Sequence, residues 1–168
     1  AASGGGVRGK VEGTNFTGSI IVGHSTTGTL SSAENNTALG LAAMDAITSG
    51  DSNIAIGSSA LTALTEGGKN TAIGHLAGDA ITSGGDNIAI GHQALSAEDT
   101  GSRSIAIGND ALLVQNNDAQ NVNIAVGYYA GRGVSTGQHN ILIGGEAGEA
   151  CTTAARNVFV GHQAGHTT

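Results

Sequence analysis

Asn87-Ile88-Ala89-Ile90-Gly91-His92-Gln93-Ala94-Leu95 is one copy of a phrase that recurs along almost the whole chain. Its glycine marks the repeat, and the equivalent positions are Gly23, Gly40, Gly57, Gly74, Gly91, Gly108, Gly127, Gly144 and Gly161. Seven of the eight intervals between these glycines are 17 residues long, and the interval from Gly108 to Gly127 is 19. A fixed period of this kind indicates a repeat architecture in which each unit packs only on its neighbours.

The residues that end at each glycine predict a short strand. In Ile54-Ala55-Ile56 the two isoleucines point to one face and Ala55 to the other, because side chains alternate along a strand. We predict that the branched residue before each glycine faces the inside of a coil. These residues are Val22, Leu39, Ile56, Ile73, Ile90, Ile107, Val126, Ile143 and Val160. We predict that the opposite column packs on another chain or another sheet, and its members are Ala38, Ala55, Ala72, Ala89, Ala106, Ala125, Leu142 and Phe159.

The second half of each repeat predicts a less regular strand followed by a turn. Glycine and short polar residues, as in Ser83-Gly84-Gly85-Asp86, supply the positive φ values that tight turns need. A short helix is the alternative, although the segments between glycines leave little room for a stable one. Asparagine four residues before most of the glycines predicts a structural ladder of side-chain hydrogen bonds. Its members are Asn36, Asn53, Asn70, Asn87, Asn123, Asn140 and Asn157.

The repeat therefore predicts an all-β protein, a parallel β-solenoid (β-roll) of about nine 17-residue turns. At roughly 4.8 Å per stacked strand, nine turns make a rod about 40 Å long. Residues 1–18 are predicted to be a glycine-rich lead and N-terminal cap, and residues 19–168 to be the solenoid domain.

Composition excludes several classes of protein. The chain has 29 glycines, no tryptophan, two phenylalanines and two tyrosines, so only a narrow core of small aliphatic residues is available. The net charge is −7 with six Lys and Arg in total, which argues against nucleic-acid binding. No apolar run approaches the roughly 20 residues of a membrane span, so we expect no membrane insertion. Cys151 occupies the repeat position of Ile47 and Leu64, which predicts a small buried hydrophobic residue.

The phrase Asn-x-Ala-Ile-Gly-x-x-Ala, as in Asn70-Thr71-Ala72-Ile73-Gly74, resembles two groups of repeats. These are the head repeats of YadA-like trimeric autotransporter adhesins and the tail-fibre repeats of tailed phages. The resemblance covers residues 19–165. It implies a left-handed coil in a homotrimer, with apolar faces turned toward the shared axis, and so makes the column from Ala38 to Phe159 the predicted trimer interface.

The function implied by this resemblance is structural. It is a stiff segment of an extracellular fibre or adhesin, on a virion or a cell surface, that attaches to a glycan or protein receptor. We predict no enzymatic activity and no cofactor. One alternative is a filament subunit that stacks end to end. Another is an acyltransferase of the hexapeptide β-helix type, since Ile73-Gly74-His75-Leu76-Ala77-Gly78 fits one hexapeptide unit.

Two groups of residues are candidates for a site. The position after the repeat glycine holds His24, His75, His92 and His162, whose imidazoles are candidate ligands of a metal ion. The alternative is that this turn position simply tolerates polar side chains. The single long interval is the candidate contact surface, because insertions in solenoids form loops that are often used for binding. Its candidate receptor-binding residues are Gln115, Asn116, Asn117, Asp118, Tyr128 and Tyr129.

Overall fold

The computed structural model describes residues 9–13, 16–22, 32–118 and 120–166. Two longer strands come first, β1 (Gly9–Gly13) and β2 (Phe16–Val22), so β2 begins inside the predicted cap segment. Eight three-residue strands follow: β3 (Thr37–Leu39), β4 (Ile54–Ile56), β5 (Thr71–Ile73), β6 (Ile88–Ile90), β7 (Ile105–Ile107), β8 (Ile124–Val126), β9 (Ile141–Ile143) and β10 (Val158–Val160).

All ten strands form one sheet in chain order. β1 pairs with β2 in the antiparallel sense, and each strand from β2 to β10 is parallel to the next. Each turn of the chain therefore adds one strand to the growing edge of the sheet, which confirms the predicted all-β parallel solenoid. The left hand of the coil and the trimer stay predictions.

The strands are stacked so that equivalent residues form straight columns. Ala55 is paired with Ala72, and Ala106 is paired with Ala125 even though 19 residues separate them. The two extra residues of the long interval therefore lie outside the strands. The sheet keeps its register through this longer turn.

The prediction of which strand face points inward was wrong. The central alanines, such as Ala55 and Ala72, are fully buried inside the chain, whereas Ile56 and Ile73 before the repeat glycines are each 37% exposed. Leu142 is also buried, and Phe159 packs partly against the same core. The predicted trimer-interface residues therefore line the inside of the coil, and the predicted inner column lies on its outer face. The corrected set is Ala38, Ala55, Ala72, Ala89, Ala106, Ala125, Leu142 and Phe159.

The volume of the coil interior explains this arrangement. In four of the alanine turns the space opposite the strand is filled from the other side, by the fully buried side chains of Met44, Leu61, Leu95 and Leu112. In two others the facing residue is Gly78 or Gly131, beside which lie Leu61 or Leu112 of the preceding turn. Where the strand contributes Leu142, the facing residue is Gly148, and a Cβ added there would lie 2.7 Å from Leu142 Cδ2. Large residues on the strand and on the facing turn thus exclude each other, as expected for a core packed at crystal-like density.

The second half of each repeat is a succession of tight turns rather than the predicted second strand. Non-glycine residues with φ between 50° and 65° recur two and four residues after the repeat glycine and five residues before it, as at Ser59, Leu61 and Ser52. Their N–H groups bond alternately to the turn before and the turn after. Ser59 N donates to Leu41 O (2.8 Å), and Leu61 N donates to Ala77 O (3.1 Å). The left-handed positions cost about 1 kcal/mol or more each, and bonds between neighbouring turns offset that cost.

Close contact between successive turns explains the repeat glycines. Gly74 has a φ of 138°, and a Cβ added to it would collide with the carbonyl group of Gly91 in the next turn. Gly57, Gly91, Gly108 and Gly127 meet the following turn in the same way. The glycine column is therefore required by the turn spacing as well as by the backbone angle.

We predict that Gly74→Ala lowers the free energy of unfolding by about 3 kcal/mol or more, because both the left-handed φ and the clash oppose it. Gly161→Ala is the matched control, since its φ is 127° but the nearest atom to the added Cβ is 4.0 Å away. The control should cost about 1 kcal/mol. Urea denaturation followed by circular dichroism measures both values, and equal losses would contradict the proposed role of turn spacing.

Candidate functional site

The predicted asparagine ladder is present and buried inside the coil. The backbone N–H of Asn53 donates to Oδ1 of Asn36 (2.9 Å). Its side-chain Nδ2 donates to the same Oδ1 (3.0 Å) and to the carbonyl of Gly67 (2.9 Å). Asn70 and Asn140 repeat the pattern. Each side chain thus joins its own strand to the preceding turn and to the turn that follows it in the chain.

The ladder changes at the long interval, where Ser104 stands in place of asparagine. The side chain of Gln115 occupies the gap. Its Nε2 donates to Ser104 Oγ (2.9 Å), and its Oε1 accepts from Asn123 Nδ2 (2.7 Å). Gln115 and Ser104 together therefore replace the missing asparagine, and the ladder continues into Asn123.

A buried carboxylate, that of Glu98, lies next to the Gln115 side chain. Glu98 is fully buried, and Oε2 accepts from Gln115 Nε2 (2.9 Å) and Asn121 Nδ2 (2.6 Å). Oε1 accepts from the backbone N–H of Gly101 (2.9 Å) and, at 3.4 Å, from that of Asn117. Burial raises the pKa of the Glu98 carboxyl, while the hydrogen bonds from Gln115, Gly101 and Asn117 partly oppose the rise. Glu98 therefore holds the long turn by hydrogen bonds, and its carboxylate oxygens already face donors.

Sequence reasoning missed this network, although a signal was present. Glu98 and Gln115 interrupt the apolar column in two adjacent turns, and Ser104 interrupts the asparagine column between them. Gln115 lies in the 19-residue interval, and Glu98 and Ser104 lie in the turn just before it. Correlated departures at one place in a repeat indicate that one side chain compensates for another.

The structure separates the predicted contact residues. Gln115 is fully buried, so its assignment to a receptor surface was wrong: it belongs to the core network. Asn116 and Asp118 are exposed and Asn117 is half-buried. Tyr128 is exposed and Tyr129 half-buried, and they lie on the next turn. The long turn and the tyrosines are thus exposed features of successive turns.

The two tyrosines begin a row of side chains across three turns. Their rings are stacked with centroids 3.8 Å apart, and the Arg132 guanidinium carbon lies 4.5 Å from the Tyr129 centroid. Arg132 Nη1 is 3.6 Å from Glu149 Oε1, and Glu149 Oε2 is 3.7 Å from His166 Nδ1. A side-chain hydrogen bond with Tyr129 raises the pKa of Tyr128 to about 12, so its phenol stays neutral.

A shallow cleft of about 240 Å³ adjoins this row. It is lined by Leu113, Val114, Arg132, Gly133 and Glu149, which come from three successive turns. The cleft therefore combines an apolar wall with a wall that carries both charges of an ion pair.

The described part of the histidine column holds one stacked pair, His75 and His92, and His162 stands apart from it. The rings of His75 and His92 are stacked with centroids 5.4 Å apart, and His92 Nδ1 is 3.5 Å from Asp110 Oδ1. His162 lies near the last turn, where its Nδ1 is 3.1 Å from Gly145 O, and His24 lies outside the described residues. Among the described residues, no group of three or more His, Cys, Asp and Glu side chains is placed to hold a metal ion.

Comparison with known proteins gave no match in a scan of family models, a search of curated proteins or a search of solved structures. In the described part of the chain, no helix has the length and apolar character needed to cross a membrane.

We predict that Glu98→Leu lowers the free energy of unfolding by about 3 kcal/mol or more, because the buried N–H of Gly101 loses its acceptor and the side-chain amides of Gln115 and Asn121 each lose one of two acceptors. The control is a regularised variant that combines Glu98→Leu, Gln115→Leu and Ser104→Asn with residues 118–120 replaced by one glycine. This variant restores a 17-residue turn and should be at least as stable as the wild type. Calorimetry compares the three proteins, and a wild-type melting temperature for Glu98→Leu alone would contradict the role of the network.

A second prediction concerns pH. The pKa of Glu98 is raised in the folded state by burial, so folding favours the protonated carboxyl. Its contribution to stability is present below the unfolded pKa and is lost as the pH rises through the folded pKa. Between about pH 4 and about pH 7 the urea midpoint of Glu98→Gln should therefore fall less than that of the wild type. Burial also raises the pKa of Asp79, so Asp79→Asn is measured beside it. A wild-type midpoint that rises more steeply with pH than that of Glu98→Gln would contradict this account.

Proposed function

We propose that this β-solenoid repeat protein is a structural segment of an extracellular fibre or adhesin, built from three copies packed side by side. The observation that carries the proposal is the outer face of the sheet. The side chains before the repeat glycines and those two residues earlier form two parallel apolar columns. On this apolar face lie Ile20, Val22, Thr37, Leu39, Ile54, Ile56, Thr71, Ile73, Ile88, Ile90, Ile105, Ile107, Ile124, Val126, Ile141, Ile143, Val158 and Val160.

The apolar face carries no charged residue along nine strands. Nine strands about 4.8 Å apart and three residues of about 3.3 Å each give a projected area of roughly 400 Å². Contiguous apolar patches of a few hundred Å² on a single chain often have a function, and this one is also uncharged. Within the stack, Ile54, Ile56 and Ile143 are 40%, 37% and 39% exposed, so each keeps part of its side chain in water in a single chain.

A second copy of the same chain is the partner that fits this face best. Its ridges repeat at the spacing of the strands, so an identical face matches them along the whole length. A partner that binds through charged side chains would find no opposite charge on these two columns. The number three comes from the resemblance to trimeric adhesin heads and phage fibres, in which apolar faces surround a common axis.

The proposed attachment role depends on the turns that are exposed on the outside of the coil. The turns carry polar and charged residues such as Asp51, Glu66, Lys69 and Asp86, all of which are exposed. A rod with a buried apolar axis presents these turns repeatedly along its length. We propose that this surface meets a cell-surface glycan or protein receptor, which agrees with the resemblance to fibre and adhesin repeats.

We predict that Ile56→Lys/Ile73→Lys converts a trimer to a monomer, because charges on the apolar face cannot be desolvated between identical chains. Ser52→Lys/Ser83→Lys is the matched control, since it adds the same charge on exposed turns. Sedimentation equilibrium measures the mass of both variants and of the wild type. A monomeric wild type would overturn the proposal, and growth without limit at rising concentration would favour the filament alternative.

A further inference from the structure

We propose that the cleft between Val114 and Arg132 binds a single unit of a neutral saccharide. This inference rests on the proposed attachment role and deepens it by naming the chemistry of the ligand and the place where it binds.

The cleft exists because two turns depart from the repeat. The position six residues after the repeat glycine is alanine in the other described turns that extend this far, where Ala46, Ala63, Ala80, Ala97 and Ala150 occupy it. Val114 and Gly133 are the departures, in adjacent turns. A Cβ added at Gly133 would lie 2.3 Å from the carbonyl oxygen of Glu149, so this position stays bare, and the larger Val114 forms an apolar wall beside it.

The opposite wall provides donors and acceptors side by side. Arg132 Nη1 faces Glu149 Oε1 at 3.6 Å, while the Arg132 side chain is 42% exposed and Glu149 23%. A guanidinium has five N–H donors and a carboxylate has two acceptor oxygens, so both keep capacity for a ligand. Neighbouring hydroxyl groups on a sugar ring can accept from Arg132 and donate to Glu149 at the same time.

The tyrosines hold this wall in position. Tyr129 lies under the Arg132 guanidinium at 4.5 Å and is itself stacked on Tyr128 at 3.8 Å. The cation–π contact fixes the plane of the guanidinium, and Glu149 is held from its other side by His166 at 3.7 Å. Tyr129 is therefore a positioning residue, and Arg132 and Glu149 are the contact residues.

The combination of walls selects among ligand classes. The Glu149 carboxylate repels an anionic ligand, and the Arg132 guanidinium repels a cationic one. A purely apolar ligand would remove water from the ion pair without replacing the hydrogen bonds that water makes to it. A neutral saccharide offers C–H faces for Leu113 and Val114 and hydroxyl groups for the ion pair. The volume of about 240 Å³ is below the usual range for a drug-sized ligand and suits one ring.

Saturation-transfer NMR and titration of amide resonances test this inference. The probes are the methyl glycosides of glucose, galactose, mannose and N-acetylglucosamine, each at millimolar concentration, with an N-acetylated dipeptide amide as the competing class. We expect saturable binding of at least one glycoside to the wild type. Arg132→Ala should weaken it about tenfold or more through loss of hydrogen bonds to a charged group. Tyr129→Leu should weaken it less, with loss of the cation–π contact, and Arg132→Lys should restore part of the affinity.

Arg156→Ala is the matched control, because it removes the same charge from an exposed position that does not line the cleft. It should leave glycoside affinity unchanged. Equal affinity of the wild type and Arg132→Ala, no saturable binding of any glycoside, or preference for the dipeptide would each overturn the inference. The mass of the same samples is measured by sedimentation. If the wild type is a trimer that binds no glycoside, the saccharide inference is overturned and the structural proposal stands. If the wild type is a monomer that binds a glycoside, the saccharide inference stands and the trimer is overturned.

Discussion

The interior of the coil is too narrow to hold a large side chain from both the strand and the turn that faces it. In four turns the facing residue is large (Met44, Leu61, Leu95 and Leu112), and the strand there contributes alanine. Where both positions are small, as at Ala72 and Gly78, the side chains of Leu61 and Ile81 fill the space beside the glycine. Where Gly148 and Gly165 free the space, Leu142 and Phe159 take it. The large aliphatic residues of the strands are consequently placed on the outside. The apolar outer face therefore follows from the small volume of the core. In the proposed trimer, this face is buried against the other copies of the chain.

Hydrogen bonding inside the coil follows a similarly strict rule, and the long turn shows how strict it is. The regular turns use one buried asparagine each, and the carbonyl of a glycine such as Gly67 or Gly84 accepts from it. The extra residues after Asn117 change that arrangement, and Glu98, Gln115 and Asn121 supply the missing bonds. An insertion in this fold therefore requires polar replacements in the core. The same region also carries the Val114 and Gly133 departures that form the cleft, so the irregular part of the rod is where its surface becomes specific.

Much of the fold could be predicted from the sequence because its signals are periodic. The glycine spacing gave the turn length, the alternation in Ile54-Ala55-Ile56 gave the strand, and Asn53 with its equivalents gave the ladder. Alternation with a period of two is symmetric, however, and cannot tell which face is inside. Which strand face is buried depends on Leu61 and its large equivalents, whose side chains fill the core from the turns. The left-handed residues Ser59 and Leu61 are not types that favour positive φ, so the form of the second half was not predictable. The cleft could not be predicted from the sequence, because its lining residues come from three successive turns whose placement beside Gly133 is known only from the structure.

The most direct test of the account is hydroxyl-radical footprinting of the strand residues in the wild type and in the monomeric Ile56→Lys/Ile73→Lys variant. Ile105, Ile107 and Ile141 lie on the outer face of the sheet, where the other copies of the proposed trimer would cover them. We predict that these residues react in the variant and are protected in the wild type, while exposed Val114 reacts equally in both. Protection of the three isoleucines in both proteins would contradict the account, because the large side chains would then lie inside the coil.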